Sequence, residues 1–113
     1  MRKIGGEGEE RAARFLKRLG YEILHRNWRC RRGEIDIIAR DGKTLVFTEV
    51  KTRRSTSRGT PEEAVDRKKQ EKLRLLARYY IHETGMTAPV YRFDVLTVDA
   101  KSGEIKLLKS AFS

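Results

Sequence analysis

Hydrophobic side chains recur with a helical period at two places in the chain, and each place predicts an amphipathic helix. The first helix is predicted over Glu7–Leu19 and terminates at Gly20. Its apolar stripe consists of Ala12, Phe15, Leu16 and Leu19. The second is predicted to run from Thr60, as N-cap, to Thr84 and to end near Gly85, either unbroken or with a break near Asp66. Its apolar stripe consists of Leu73, Leu76, Ala77, Tyr80 and Ile81.

Runs of β-forming residues predict the strands around these helices. The clearest is a hairpin over Gly33–Lys51, with Asp41-Gly42 as its tight turn. His25–Gly33 is predicted to be a basic loop. The remaining strands are predicted over Tyr21–Leu24, Pro89–Val98 and Glu104–Leu108. The order α-β-β-β-α-β-β indicates one α/β domain over residues 1–113, with a mixed sheet flanked by helices. The strand ending at Lys51 and the strand after the crossover helix are expected to be parallel.

Charged residues interrupt the apolar strands of the hairpin. Strict alternation puts Glu49 and Lys51 on one face, and Asp36 on one face with Glu34 and Ile38. Two carboxylates on adjacent buried strands repel each other unless they are compensated. Lys51 supplies part of the compensation, and Mg²⁺ or Mn²⁺ would supply more. An acid–lysine network that holds the sheet together, or a solvent-facing sheet surface, explains the same residues.

The distance between the two acids depends on the hairpin register. A turn at Asp41-Gly42 places Asp36 opposite Phe47 and diagonal to Glu49, at roughly 7–8 Å between strand positions. A shift of one residue would put the acids on opposite faces.

The first helix contributes a further acid. At about 100° per residue, Glu9 lies about 50° from the centre of the apolar stripe, whereas Glu7 and Glu10 point away from it. Glu9 is therefore the acid expected to face the sheet. Its alternative role is to stabilise the helix N-terminus.

The charge balance concerns partners rather than fold. The chain has 26 basic and 16 acidic residues, a formal net charge of +10, which favours a polyanionic partner such as DNA. A basic protein without such a partner is the alternative. Cys30 is the only cysteine, which excludes an internal disulfide and indicates a reducing, cytoplasmic location. No segment suits a signal peptide or a membrane span, so no membrane partner is expected.

Gly33-Glu34-Ile35-Asp36 followed by Glu49-Val50-Lys51 resembles the motif of the PD-(D/E)XK nuclease superfamily. More closely, the ordered segments GEGEERAARFLKRLGYEIL, NWRCRRGEIDIIARDG, VFTEVKTR, AVDRKKQEKL and YRFDV resemble the YraN-like family of small bacterial proteins. The resemblance covers nearly the whole chain. It implies a restriction-endonuclease-like fold, with Holliday-junction resolvases as the closest functional relatives. Ile35 stands where the superfamily motif has proline.

The chemistry implied by the resemblance is Mg²⁺- or Mn²⁺-dependent hydrolysis of DNA phosphodiester bonds, on branched or damaged DNA. Asp36, Glu49 and the Val50 carbonyl would hold the metal. Lys51 would position water or stabilise charge on the phosphate, because the nearby carboxylates favour its charged form. Glu9 would orient water or complete the metal shell. The resemblance also assigns auxiliary roles to Lys69 and Gln70, for which capping or lying along the sheet edge is the alternative.

Basic side chains near this predicted centre would bind the DNA backbone. Trp28, among them, would stack on an unpaired base or pack against the sheet. The arginines are Arg26, Arg29, Arg31, Arg32, Arg53, Arg54 and Arg58. A resolvase would need two active sites and hence a homodimer, for which the sequence shows no interface. The main alternative is a non-catalytic nucleic-acid-binding protein that retains the nuclease fold. A basic scaffold protein would leave the acidic positions unexplained.

Overall fold

One mixed sheet of five strands, flanked by two helices, forms the frame of the molecule. The computed structural model describes residues 6–53, 64–86 and 90–113. The order α-β-β-β-α-β-β confirms the predicted order. Neither described helix has the length and hydrophobicity needed to cross a membrane. The elements are α1 (Gly6–Arg18), β1 (Glu22–Cys30), β2 (Gly33–Asp41), β3 (Thr44–Arg53), α2 (Arg67–Thr84), β4 (Val90–Asp99) and β5 (Ile105–Phe112).

The strands lie in the sheet in the same order as in the chain. β1–β2, β2–β3 and β4–β5 are antiparallel pairs joined by short turns. β3 and β4 are parallel, as the sequence predicted, and α2 lies in the connection between them. The central strands β3 and β4 are therefore covered on both faces, which explains their nearly continuous buried residues.

Two hydrophobic clusters cover the two faces of the sheet. Leu73, Leu76 and Tyr80 of α2 pack on one side, which we call the α2 face. Ala12 and Leu16 of α1 pack on the other, the α1 face. The predicted helical stripes form these contacts, but Leu19 is 50% exposed because α1 ends at Arg18, one residue earlier.

β1 is longer than the sequence predicted. The segment predicted to be a basic loop continues the strand to Cys30, which pairs with Gly33 of β2. The ladder with β2 supplies hydrogen bonds for the backbone, so the charged side chains of this segment can remain at the surface. Arg26 and Arg29 are therefore strand residues, and only the two-residue turn after Cys30 lies outside β1 and β2.

Asp66 marks the start of α2. Its carboxylate accepts a hydrogen bond from the Lys69 backbone N–H at 2.8 Å, which caps the helix. This agrees with the predicted break, while the predicted start at Thr60 lies outside the described residues. At the other end the helix stops at Thr84, and Gly85 adopts a left-handed φ of 66°, as expected for a terminating glycine.

The hairpin turn differs from the prediction by two residues in register. The turn consists of Gly42 and Lys43, with Gly42 at a φ of 63°, the positive value expected when glycine is the first of two turn residues. Ile38, rather than Asp36, therefore lies opposite Phe47. A two-residue shift preserves the period-two alternation, so β3 keeps its predicted faces.

Candidate metal centre

Strict alternation fails once along β2. Ile35 and Ile38 pack in the same cluster on the α2 face, although they are three positions apart. Ile37 and Ala39 pack together on the α1 face. Strict alternation predicts that Ile35 shares the face of Ile37 and Ala39, and this prediction was wrong. The change of face occurs at Asp36, between the two sets.

The neighbouring strand β1 changes face at the same level. Trp28 packs edge-on against Tyr80 of α2, with ring centroids 5.5 Å apart. Arg26 forms a 2.8 Å ion pair with Glu10 of α1, on the opposite face. Between them, Asn27 has a φ of 54°, a left-handed value. The side chains of both strands therefore exchange faces of the sheet at Asn27 and Asp36. We call this change of face the turnover.

The turnover brings three carboxylates together beside α1. Glu9, Glu34 and Asp36 each offer an oxygen atom, and these atoms all lie within 4.8 Å of one another. The position of Glu9 agrees with the helical count. Glu34 was not among the predicted site residues, although alternation placed it on the same face of β2 as Asp36. Its spacing of two residues from Asp36 is the signal that could have identified it.

Asp36 also connects this group to β3. The pairing described between β2 and β3 starts at Ile37 and Thr48, and the next step of the same register would place Asp36 opposite Glu49. Beyond that point the Asp36 carboxylate, not a backbone carbonyl, accepts the Val50 N–H at 2.8 Å. Glu49, which is only 5% exposed, lies close enough to Asp36 for its charge to raise the pKa of the Asp36 carboxyl. Four acids from α1, β2 and β3 thus form one cluster, hereafter the acidic centre: Glu9, Glu34, Asp36 and Glu49.

The acidic centre carries unbalanced negative charge. Burial, followed by the charges of Glu49, Glu9 and Glu34, raises the pKa of Asp36 to about 7, against the lowering effect of the Val50 N–H. Burial also raises the pKa of Glu49, opposed chiefly by the charges of Lys69 and Lys51.

Two lysine side chains lie near the acidic centre, and Lys69 of α2 is in direct contact with it. The Lys69 ammonium lies 3.7 Å from a Glu49 carboxylate oxygen. Lys51 is exposed near the end of β3, and its charge also favours ionised Glu49. Gln70 is directed elsewhere: its amide donates to the Val65 carbonyl at 3.1 Å and accepts from Arg74 at 3.3 Å. Of the Lys69-Gln70 pair, Lys69 therefore reaches the site, whereas the described contacts of Gln70 fasten the start of α2.

The predicted DNA-binding arginines occupy different surroundings. Arg29 forms a 3.2 Å ion pair with Glu34, and the Arg26–Glu10 pair holds α1 against β1. Arg31 and Arg32 are exposed in the β1–β2 turn, and Arg53 ends β3. Arg54 and Arg58 lie outside the described residues.

A second buried acid, Asp94, differs from Asp36 because a guanidinium group balances its negative charge. Asp94 on β4 accepts hydrogen bonds from the Arg92 Nε atom at 2.9 Å and from the Ser110 N–H at 3.0 Å. The Arg92 guanidinium also bonds to the Tyr21 hydroxyl and to Asp41. Asp94 is therefore structural, whereas Asp36 has no comparable guanidinium among its described contacts.

The acidic centre fits a divalent cation. Three carboxylate oxygens within 4.8 Å of one another can converge on one ion, and hard oxygen donors suit Mg²⁺ or Mn²⁺. The raised pKa of Asp36 indicates charge repulsion that a cation would relieve. Glu9, Glu34 and Asp36 would hold such an ion, and Glu49 is the fourth acid beside them.

Sequence comparison places the chain among bacterial relatives of similar length. A UPF0102 protein of Caldicellulosiruptor saccharolyticus is 50% identical over 115 residues, covering 98% of each chain. A UPF0102 protein of Nocardia farcinica is 48% identical over 112 residues, covering 96% of this chain and 88% of the relative. The family pattern described as "Uncharacterised protein family UPF0102" matches residues 8–98, which include every member of the acidic centre. The chain therefore belongs to the UPF0102 family.

Proposed function

We propose that this protein is a metal-dependent endonuclease of the PD-(D/E)XK type that hydrolyses phosphodiester bonds in branched or damaged DNA. The carrying observation is the convergence of Glu9, Glu34 and Asp36 within 4.8 Å, with the buried Glu49 close enough for its charge to act on Asp36. A purely structural acidic network would be expected to resemble Asp94, which has an arginine partner. The acidic centre instead retains excess negative charge.

The proposed roles follow from position. Asp36, with Glu9, Glu34 and Glu49, would hold Mg²⁺ or Mn²⁺. When bound, such an ion supplies Lewis-acid polarisation of the scissile phosphate and makes a water molecule more acidic. The Val50 carbonyl, the third ligand expected from the motif, belongs to the residue whose N–H holds Asp36 in place.

Lys51 and Lys69 divide the cationic roles. Lys69 pairs with Glu49 and opposes the rise in the pKa of this buried carboxyl, which favours the ionised form that a metal ligand requires. Lys51 is exposed on the same strand and face, where its ammonium group can meet a phosphate arriving from solvent. We assign to Lys51 the positioning of water and the stabilisation of charge that develops on the phosphate.

The DNA would approach as a phosphate backbone over the arginine-rich surface. The net charge of +10 supports strong, salt-dependent attraction to a polyanion. Arg31 and Arg32 are exposed beside the strand that carries Glu34, and Arg53 follows Lys51 on β3. Backbone contacts of this kind recognise shape rather than base sequence. Two cuts in a four-way junction would require a homodimer.

A cleavage assay tests the proposal. Linear, flapped and four-way DNA are incubated with wild-type protein in Mg²⁺ or Mn²⁺, in parallel with Asp36→Asn and Lys51→Ala proteins purified identically. We expect metal-dependent cleavage by the wild type and a loss of at least about 100-fold in both variants. Lys68→Ala serves as the matched control, because Lys68 is an exposed lysine on the first turn of α2.

Two outcomes would remove the proposal. Equal cleavage by all four proteins would identify a contaminating nuclease. An absence of cleavage on every substrate, together with tight and salt-sensitive DNA binding, would instead assign the chain as a non-catalytic nucleic-acid-binding protein on a nuclease-like frame.

A further inference from the structure

A second concave site lies on the flank of the molecule, next to the acidic centre. It has a volume of about 710 Å³, within the roughly 300–1,000 Å³ typical of small-ligand sites. One wall is the end of β1 and the turn that follows it, and the other is the outer side of α2. The cavity residues are Trp28, Arg29, Cys30, Arg31, Arg32, Tyr79, His82 and Glu83.

The walls combine aromatic rings with guanidinium groups. Trp28 is half-buried, with one edge contact to Tyr80, and it also lines the cavity. Tyr79 is 36% exposed, and His82 follows it by three residues, so both lie on one side of α2. These rings offer stacking surfaces for a planar ligand.

The positive charge of the cavity favours a planar ligand that also carries negative charge. Arg29, Arg31 and Arg32 line it against one acid, Glu83. Guanidinium groups bind phosphates bidentately, while aromatic faces stack on nucleobases of any sequence. A nucleotide has both a base and a phosphate, so it matches this combination.

One ion pair connects the cavity to the acidic centre. Arg29 lines the cavity, and its Nε atom lies 3.2 Å from a Glu34 carboxylate oxygen. Glu34 in turn offers an oxygen within 4.8 Å of oxygens of Asp36 and Glu9. A nucleotide in the cavity would thus lie directly beside the place where a backbone phosphate would meet the acids.

We propose that this cavity captures one unpaired nucleotide of the DNA, with its base stacked between Trp28 and Tyr79 and its phosphate held by the arginines of the β1–β2 turn. A base in an intact duplex must first be unpaired and unstacked, which costs free energy that an already unpaired base does not require. The cavity therefore selects DNA with a single-stranded nucleotide, as in a flap, a gap or an open junction. The inference rests on the proposed DNA substrate and adds which structures of DNA are chosen.

Trp28 is the only tryptophan of the chain, so its fluorescence reports on the cavity directly. We would titrate the protein, in EDTA and at low salt, with a short oligothymidylate and with a blunt-ended duplex. The oligothymidylate should quench Trp28 emission to saturation, whereas the duplex should leave it nearly unchanged. EDTA removes cleavage from the measurement.

Two tyrosine variants distinguish stacking in the cavity from general electrostatic attraction between the oligonucleotide and the basic protein. Tyr79→Ala should weaken oligothymidylate binding about tenfold, the loss expected for one stacked base. Tyr91→Ala is the matched control, because Tyr91 is 50% exposed near the start of β4 and is not among the cavity residues. It should change binding less than twofold. Circular dichroism checks that both variants are folded.

The proposal is overturned if oligothymidylate binds by anisotropy without a change in Trp28 emission, if it does not bind, or if both tyrosine variants weaken binding equally. Quenching without cleavage of any DNA would remove the nuclease proposal alone. Cleavage that depends on Asp36, without quenching, would remove the cavity proposal alone.

Discussion

The Asp36 carboxylate accepts the backbone N–H of Val50 at 2.8 Å, across two strands that are no longer paired at this level. The contact holds a carboxylate between Glu49 on β3 and the carboxylates of Glu9 and Glu34. The arrangement costs stability unless a cation is present, and this cost can be measured.

Asp36→Asn should stabilise the metal-free protein. Asparagine keeps an oxygen to accept the Val50 N–H but removes the charge. At pH 8 we expect the free energy of unfolding in EDTA to rise by about 1–4 kcal/mol, because each pKa unit corresponds to about 1.4 kcal/mol. Addition of Mg²⁺ or Mn²⁺ should raise the Tm of the wild type and leave that of the variant unchanged. Thermal denaturation with and without metal measures both effects.

Asp94→Asn is the matched buried control and should act in the opposite direction. Asp94 is 1% exposed and bonded to Arg92, so its neutralisation leaves a partly buried guanidinium without its charge partner. We expect a loss of about 3–5 kcal/mol. A decrease in Tm for both variants would contradict repulsion at Asp36.

The stability of the metal-free protein should fall as pH rises towards 7. The folded-state pKa of Asp36 is about 7, above the value of 3.8 for an unperturbed aspartate. The folded state therefore binds more protons than the unfolded state between these values, and its stability decreases across that window as pH rises. The difference in Tm between the wild type and Asp36→Asn isolates this residue.

The stabilisation by Mg²⁺ should grow over the same pH range, because the metal competes with the proton for Asp36. Tm values measured from pH 4 to pH 8 in EDTA and in Mg²⁺ provide the test. A gap between the two curves that does not change with pH would exclude Asp36 as a ligand.

Lys69→Met should weaken metal binding, although it leaves all the proposed metal ligands unchanged. Its ammonium group lies 3.7 Å from Glu49 and lowers the pKa of that buried carboxyl. Without this charge, we expect the metal-induced rise in Tm to begin at higher pH. The shift should be modest, because the Lys69 side chain is 41% exposed and its charge is screened by solvent. Lys68→Met, one residue away and exposed, should leave the onset unchanged. The same onset in both variants would show that the Lys69–Glu49 pair does not tune the site.

Gly8→Ala should separate α1 from β3. A Cβ atom on Gly8 would lie 2.1 Å from the Thr52 Oγ1 atom, so the Thr52 side chain, the helix or the strand has to move. We expect a loss of about 1–3 kcal/mol in unfolding free energy. Glu9 follows directly in the helix, so the metal-induced rise in Tm should also shrink.

The double variant Gly8→Ala with Thr52→Ala provides the rescue. It removes the clashing oxygen, and the remaining 3.4 Å approach to the Thr52 Cβ atom is an ordinary contact. Alanine also favours a helix by up to about 1 kcal/mol over glycine. An increase in Tm for the single variant would show that this close approach does not constrain α1.

Much of the frame was predictable because it depends on local periodicity. The helical stripe of α2, the glycine at its end and the parallel pairing of β3 with β4 each follow from spacing or from a chain connection. The predicted hairpin turn was wrong, but the predicted faces of the β3 side chains were not affected. The observed turn at Gly42-Lys43 differs in register by two residues, and side chains two residues apart lie on the same face of a strand.

The turnover at Asn27 and Asp36 was not predictable from alternation. It requires a left-handed φ at Asn27, and it is stabilised by long-range contacts such as Arg26 with Glu10 and Trp28 with Tyr80. Alternation therefore misassigned Ile35, while Asp36 and Glu9 were still identified as candidate site residues. The length of β1 was missed for a similar reason, since its charged residues are held in the strand by pairing with β2.

The same turnover divides the sheet into regions that should evolve under different constraints. On one side of it, Ile37, Ile38 and Ala39 fill both cores, so drift there is limited to residues of similar volume. On the other side, Glu34 and the β1–β2 turn carry charge without filling either core. A descendant that lost the chemistry could replace the acids and keep the frame. A one-residue deletion at Asn27 would be harder to tolerate, because β2 would keep its change of face at Asp36 while β1 lost the residue that lies opposite it.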